Sequence, residues 1–331
     1  MKKEAPTFRV ACAVSIGYAE VRKYLTALKD IEIVDLYGAL QGDCGNRPCH
    51  GLVIYSSQFS TPVSNWIQKQ PLEWIHLVTA GTEQLDSLPI SEDVHVSSSG
   101  HLWSGTVAEH ALGMLLTLCR GMDFSIRTVQ TDRWSRNQII PRLRRIKDLA
   151  VLIVGYGRIG SEIGRTLKSF GARVTGVASS RRTVDGVTVH ELSDLDALIP
   201  EADVVIISLP LGPSTHHLIS RVQFALMKKT LILINVSRGA VLDQTALYEV
   251  LNNGGISCAG LDVFESEPLP LHDPLRSLPN VLLTPHVAGF GERGIEEVIA
   301  ANVRDNLQDI LAGRMPRDQF HQNPTEHSKR Q

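Results

Sequence analysis

The chain has 331 residues, 43% of them hydrophobic and 21% charged, with 33 Lys and Arg against 35 Asp and Glu. At roughly 150 residues per domain, that length predicts about two domains, each able to bury its own core. The composition excludes a disordered chain. A formal net charge of -2 excludes a basic nucleic-acid-binding surface, so any anionic partner must be held by a local site.

Cys12, Cys44, Cys49, Cys119 and Cys258 are odd in number and irregularly spaced, which argues against a disulfide framework and for a reducing compartment. Cys44, Cys49 and His50 have no second pair at zinc-site spacing and read as a polar loop, so no metal is expected. At the N-terminus, Glu4, Pro6 and Arg9 interrupt any signal-peptide core. No apolar run approaches the ~20 residues of a membrane span. Lys329-Arg330-Gln331 does not spell a peroxisomal tripeptide. The expected location is the cytoplasm, with neither membrane nor nucleic acid as partner.

Short apolar runs alternate with helical patterns, the signature of α/β domains with parallel sheets. The first third predicts strands at Phe8–Val14, Ile31–Asp35, Leu52–Tyr55, Ile75–Val78 and Val94–Val96, with helices between them such as Ala19–Lys29. A longer helix follows Ser104-Gly105, with Val107, Ala111, Met114, Leu115 and Leu118 at three- and four-residue steps, and stops near Arg120-Gly121. Thr128–Arg145 is polar and basic and reads as a connection. A second α/β run then begins at LAVLIV (149–154) and continues through DVVIISLP (203–210), TLILINVS (230–237), CAGLDV (258–263) and VLLTPH (281–286). Ile295, Val298, Ile299, Val303, Leu307, Ile310 and Leu311 form one stripe of a final amphipathic helix that Gly313 ends. The polar tail from Arg314 is expected to fray.

VLIVGYGRIGSEIG places Gly155-x-Gly157-x-x-Gly160 between an apolar strand and a helix, Arg158–Phe170, with a new strand at Arg173–Ala178. A lone GxGxxG is weak, but inside strand–turn–helix–strand it is specific for a dinucleotide. Gly155 permits the tight turn, Gly157 leaves room for the pyrophosphate, and Gly160 lets helix and strand pack closely. The helix N-terminus, at Arg158 and Ile159, offers unpaired N–H groups to the phosphates. NAD-binding sites usually carry a carboxylate at the end of the second strand, about 20 residues on. Here that strand ends at Ala178, followed by Ser179, Ser180, Arg181 and Arg182. No carboxylate stands there to repel a 2′-phosphate, and two hydroxyls and two guanidinium forks stand ready to bind one. The expectation is NADP(H), with NAD(H) as the second coenzyme.

Three polar residues follow strands of the second run: Arg238 in NVSRGAVLD, Glu267 in GLDVFESEP and His286 in LLTPHVAGF. Ligands of open α/β sheets bind beyond the carboxyl ends of the strands, so these three should converge on the reacting end of the dinucleotide. Most of the 12 histidines must be structural; His216 and His217 sit in a loop with nothing to support a chemical role.

GYGRIG, LPLGPSTHHLI, INVSRGAVLD, GLDVFESEP and NVLLTPHVAG, in this order, resemble the D-isomer-specific 2-hydroxyacid dehydrogenases. The likeness runs from about 104 to 290 and extends more weakly through VTAGTEQLD (78–86) and GTVAEHALGMLL (105–116). It implies two Rossmann-like and flavodoxin-like doubly wound parallel-sheet domains with an inter-domain active-site cleft. The nucleotide-binding domain, 105–288, is then inserted into a substrate-binding domain made of 1–104 plus 289–331. A contiguous two-domain division fits the periodicity equally well.

The resemblance further implies that Arg238, Glu267 and His286 are catalytic. His286 would be the proton donor, Glu267 its partner, and Arg238 the grip on the substrate carboxylate and carbonyl. Asp262 would contact the nicotinamide carboxamide, unless it is simply a buried strand-end Asp. Pro210 and Thr215 would line the adenosine side. Val236 and Ser237 would offer backbone groups near the nicotinamide, and Thr106 would touch the cofactor. The backbone of Thr79, Ala80 and Gly81 would bind the substrate carboxylate. The implied substrate is a small 2-keto acid such as glyoxylate or hydroxypyruvate, and the implied assembly is a homodimer through the nucleotide-binding domain. Two other readings stay open: oxidation of 3-phosphoglycerate, and a dinucleotide sensor like the family's transcriptional corepressors. His101, Leu102, Trp103, Arg133, Trp134 and Arg136 remain unassigned between pocket and packing.

Overall fold

Apolar runs too short for helices and bounded by turn residues become the strands, and their near-continuous hydrophobicity reflects helices on both sheet faces. The computed structural model describes residues 8–319 except 14–16, 43–46, 80, 82–84, 86–87, 89, 130–133 and 135. Cys44, Ala80 and Arg133 therefore lie outside the described residues. The chain is α/β and divides into two units, Met1–Trp103 with Glu292–Gln331, and Ser104–Gly291.

The first unit runs β1 (Phe8–Ala13), α1 (Tyr18–Thr26), β2 (Ile31–Asp35), α2 (Leu36–Gln41), β3 (Gly51–Ile54), α3 (Thr61–Ile67), β4 (Trp74–Leu77) and β5 (His95–Ser98). All five strands are parallel in the order β2-β1-β3-β4-β5, the flavodoxin-like arrangement. The Asp35 carboxylate caps α2 by accepting from the Gly38 N–H at 2.8 Å. α1 ends three residues before the expected Lys29. The Thr26 hydroxyl bonds the Arg22 carbonyl at 2.8 Å, and Asp30 turns the chain at φ 62.

The second unit opens with α4 (Ser104–Cys119), then α5 (Met122–Val129) and the short α6 (Arg136–Ile139). The segment from Thr128 is therefore not a plain connection: helical turns occupy its start and middle. Next come β6 (Ala150–Val154), α7 (Arg158–Ser169), β7 (Arg173–Ala178), β8 (Arg182–Val184), β9 (Val187–Glu191) and α8 (Leu195–Leu198). β10 (Val204–Ile207), α9 (Arg221–Leu226), β11 (Ile232–Asn235), α10 (Gln244–Asn252), β12 (Cys258–Leu261) and β13 (Val281–Leu283) complete it. The sheet order is β13-β12-β11-β10-β6-β7-β9-β8, parallel except for the β8–β9 edge hairpin. That hairpin was missed, although Val187 and Val189 alternate with polar residues and are buried. Strand order reverses between β6 and β10, so the carboxyl ends of these two strands form the crevice where ligands of such sheets bind.

The chain then returns to the first unit as α11 (Ile295–Leu311), whose Ile299, Val303 and Leu307 are fully buried. The tail after it does not fray as expected, at least to Gln319. Asp309 holds Arg314 at 2.6 Å and Arg317 at 3.0 Å, and the Asp318 carboxylate accepts from Asn302 at 2.7 Å and Asn306 at 3.0 Å. The Ser98 N–H donates to the Asp318 carbonyl at 3.1 Å, which adds the tail to the β5 edge. Polarity marked a solvated segment; the paired charges made it a docked one.

Candidate active site

The glycine turn lies in that crevice, after β6. Gly155 has φ 103, and a Cβ on it would stand 2.5 Å from the Leu209 amide nitrogen, at the end of β10. A Cβ on Gly160 would stand 2.3 Å from the Gly155 carbonyl oxygen. Both positions are closed by backbone, so only glycine fits. Gly157 differs: nothing lies within 4 Å of a Cβ there. It is the N-cap of α7, exposed, and open on the side where α7 presents its unpaired N–H groups from Arg158 and Ile159 onward. That open space at a helix N-terminus fits a pyrophosphate.

At the end of β7, Ser179, Ser180, Arg181 and Arg182 are all exposed. The Arg182 guanidinium donates to the Tyr156 carbonyl at 2.7 Å and to the Ser180 carbonyl at 3.1 Å, so it laces this segment to the glycine turn. Arg181 instead pairs with Asp194 at 2.8 Å. Arg181 is exposed and Asp194 half-buried, so the pair is worth little. Pro210 and Thr215 are tied together, with the Thr215 hydroxyl donating to the Pro210 carbonyl at 2.8 Å.

β11 delivers Arg238. The strand ends in Asn235, which is fully buried. Its side chain accepts from the Ser237 N–H at 3.0 Å and donates to the Arg238 carbonyl at 3.0 Å, building the turn that presents the guanidinium. Val236 is buried, and its N–H bonds Ile207 at 3.2 Å. Sequence reasoning missed Asn235; its signal is a polar residue closing an apolar strand.

Glu267 and His286 meet directly. His286 Nδ1 lies 2.6 Å from Glu267 Oε2, and the other carboxylate oxygen accepts from the Phe264 N–H at 2.9 Å. Glu267 is held below its ordinary pKa: burial opposes this, but the hydrogen bonds from His286 and Phe264 and the charges of His286 and Arg238 prevail. His286 is raised above its ordinary value, first by the hydrogen bond to Glu267, against burial and the Arg238 charge, with the Glu267 and Asp262 charges assisting. Arg238 thus acts electrostatically on both partners. With Nδ1–H committed to the carboxylate, Nε2 is the nitrogen left for chemistry, on a side chain 49% exposed.

Asp262 is buried, with 1% of its side chain exposed, and both carboxylate oxygens are occupied from within the chain. Oδ1 accepts from Thr284 Oγ1 at 2.6 Å and the Val287 N–H at 3.0 Å, and Oδ2 from the Ala288 N–H at 2.9 Å. The Thr106 hydroxyl donates to the Gly289 carbonyl at 3.0 Å. His217, set aside above, pairs with Glu265 at 2.9 Å and ties its loop to the segment before Glu267.

In the first unit, Thr79 follows β4. Its carbonyl accepts from Ser98 Oγ at 2.9 Å, its Oγ1 lies 2.8 Å from Ser56 Oγ, and the Trp103 indole N–H donates to the preceding Val78 carbonyl at 2.9 Å. Trp103 therefore packs and orients this loop, whose Gly81 is buried. His101 lies 3.6 Å from Asp318. Among the described residues, no three His, Cys, Asp or Glu side chains group as a metal site, and no helix is long and apolar enough to cross a membrane.

The sequence profile of the D-isomer specific 2-hydroxyacid dehydrogenase NAD binding domain matches residues 112–288. The chain belongs to the D-isomer specific 2-hydroxyacid dehydrogenase family. A glyoxylate reductase of Thermofilum pendens is 35% identical over 227 residues, 67% of this chain and 67% of that one. A glyoxylate/hydroxypyruvate reductase B of Citrobacter koseri is 34% identical over 259 residues, 76% of this chain and 79% of that one. A D-isomer specific 2-hydroxyacid dehydrogenase from Xanthobacter autotrophicus Py2, solved with NADPH and MES, is similar at a TM-score of 0.80 and 26% identity, over 95% of this chain and 98% of that one. As a 2-hydroxyacid dehydrogenase the protein is a nicotinamide-dependent oxidoreductase acting on 2-keto acids, and the open Gly157 turn suits that cofactor.

Proposed function

We propose that the protein reduces a small 2-keto acid, of the glyoxylate or hydroxypyruvate kind, to the D-2-hydroxy acid, with NADPH ahead of NADH. The observation that carries this is the 2.6 Å pairing of His286 with Glu267 under the charge of Arg238. The dinucleotide, when bound, supplies the hydride that C2 of the keto acid receives. His286 Nε2 gives the carbonyl oxygen its proton, while Glu267 holds the Nδ1 tautomer and favours the imidazolium. Arg238 grips the carboxylate and stabilises the developing alkoxide with a planar fork. The backbone at Thr79, Ala80 and Gly81 binds the substrate carboxylate in the first unit.

In the second unit, Gly155, Gly157, Arg158, Ile159 and Gly160 take the pyrophosphate. Ser179, Ser180, Arg181 and Arg182 take the 2′-phosphate, and Pro210 and Thr215 line the adenosine side. Val236, Asp262 and Thr106 stand on the nicotinamide side. Support for NADPH comes from the absence of a carboxylate after Ala178, from the two guanidinium groups there, and from the NADPH complex of the Xanthobacter relative. A homodimer through this unit is supported by exposed apolar side chains along α5 and beyond it: Met122, Ile126, Val129, Ile140 and Trp134, the last 90% exposed. The reduced thiols of Cys119 and Cys258 support a cytoplasmic location.

The test follows absorbance at 340 nm with NADPH and NADH against glyoxylate, hydroxypyruvate, pyruvate, phenylpyruvate and 2-ketogluconate, beside a His286→Ala control. NADPH oxidation by wild type that the variant loses is the expected result. Dinucleotide binding without turnover of any keto acid would replace the reductase reading with the sensor one.

A further inference from the structure

His286 adopts φ 53, in the left-handed region. A side chain there is strained and persists only where its surroundings over-determine it. The His286 N–H bonds the Asp262 carbonyl at 2.8 Å and the Thr284 carbonyl at 3.1 Å, and the next two N–H groups bond the Asp262 carboxylate. Behind this loop stands α4. His110 Nε2 lies 3.0 Å from Thr284 Oγ1 and 3.6 Å from Asp262 Oδ1, and Thr106, one turn earlier on the same face, bonds the Gly289 carbonyl at 3.0 Å. Two side chains of α4 therefore grip the two ends of the segment that carries His286.

The protons fix the direction of the chain of bonds. Thr284 has one hydroxyl proton, which it donates to Asp262 Oδ1 at 2.6 Å. His110 Nε2 must then be the donor to Thr284 Oγ1. We infer that His110 and Thr284 are positioning residues for proton transfer: a His110 → Thr284 → Asp262 chain fixes the 284–289 loop and holds the His286 imidazole on Glu267. This rests on reading His286 as the proton donor. Without the Thr284 bond the buried carboxylate loses a partner, and the loop is free to relax toward an ordinary backbone angle, swinging Nδ1 off Glu267.

The experiment compares His110→Ala, His110→Gln and Thr284→Val in the full chain, with His286→Ala beside them. Keto-acid reduction is measured against pH, NADPH affinity by fluorescence, and the His286 ring protonation by NMR titration. A misplacement of about 1 Å can cost ~100-fold, so His110→Ala and Thr284→Val should lower kcat about 10- to 100-fold. NADPH affinity should stay within about twofold in both.

The charged groups facing His286 are Glu267, Arg238 and Asp262. As the Glu267 contact loosens, the His286 titration and the alkaline limb of reduction should both move to lower pH. His110→Gln, which keeps a side-chain N–H donor, should recover most of the rate and restore the titration. The inference is overturned by unchanged kcat and titration in His110→Ala, by a glutamine variant no better than alanine, or by NADPH affinity lost in step with kcat. If His110→Ala does not fold, Thr284→Val against Thr284→Ser decides in the same way. Should His286→Ala retain wild-type turnover, the proton-donor reading fails, and the NMR titration still tests the positioning chain.

Discussion

Glycine-to-alanine changes in the GxGxxG turn separate a built dinucleotide site from a tightly packed turn. At Gly160 a Cβ would approach the Gly155 carbonyl oxygen to 2.3 Å, so α7 or β6 must shift in the protein by itself. Overpacking of this kind costs about 1–3 kcal/mol, and at roughly 2–4 °C per kcal/mol for a unit of this size Tm falls by about 2–12 °C. At Gly157 a Cβ meets nothing within 4 Å, and φ is -92, so the free protein tolerates alanine. The weaker N-cap and the stiffer unfolded chain nearly cancel, leaving stability within about 1 kcal/mol. The same methyl intrudes on a bound pyrophosphate. An intrusion of about 1–3 kcal/mol weakens NADPH binding ~5- to 150-fold. Thermal melts with and without NADPH, together with a fluorescence titration, read both effects. Gly157→Ala should lose affinity at unchanged apo Tm, and Gly160→Ala should lose both. A Gly157→Ala protein that binds NADPH as wild type does would refute the placement of the pyrophosphate at this turn.

Two further predictions use the charges. Because His286 is raised above its ordinary pKa, reduction should be full below that raised value and fall as pH climbs through it; Glu267→Gln replaces the charged acceptor by a neutral amide, which removes the Glu267 charge and weakens the bond that raises it, so the falling limb moves to lower pH. A pH–kcat profile showing the limb unmoved would contradict the pairing. In stability the two shifts have opposite signs. The contribution of His286 is complete below 6.5 and that of Glu267 above 4.5, so Glu267→Gln should lose most thermal stability between those pH values. For the coenzyme, Arg181→Ala should raise KM for NADPH ~10- to 150-fold, the range of one charge-assisted contact, and leave NADH alone. Arg182→Ala should impair both coenzymes, since that guanidinium also braces the Tyr156 carbonyl. Equal loss with both coenzymes in Arg181→Ala would remove that residue from the 2′-phosphate site.

The two parallel sheets were legible because buried strands write themselves as apolar runs, and each named run holds a strand whose ends lie within three residues of the expected bounds. The β8–β9 hairpin was not, because Arg182–Glu191 is exposed enough that its alternation looks like a polar loop. The tail was misread for a related reason: Arg314, Arg317 and Asp318 are polar, but their partners Asp309, Asn302 and Asn306 lie on α11, and a linear pattern does not show which charges meet. The glycine turn was legible in detail, since backbone sterics demand those residue types at that spacing. What supports Arg238 and His286 was not. Asn235 behind Arg238, and His110 and Thr284 behind His286, are ordinary polar letters until the fold brings them against a particular carbonyl or hydroxyl.

On the proposed reading, the backbone at His286 is where local preference yields to function. Among the described residues only Asp30, Asp185, His217 and His286 carry a side chain at positive φ. Aspartate tolerates that region comparatively well, because its short polar side chain can hydrogen-bond locally. Histidine shares part of that tolerance, and glycine at 286 would remove the remaining strain along with the ring. The conformation is instead held by the Asp262 carbonyl, by a carboxylate with three donors within 3.0 Å, and by two residues of α4. So dense a set of bonds around one exposed ring is more than packing requires, and it sets Nε2 with its back nitrogen already committed to Glu267. A proton donor needs both: a fixed tautomer and a fixed direction.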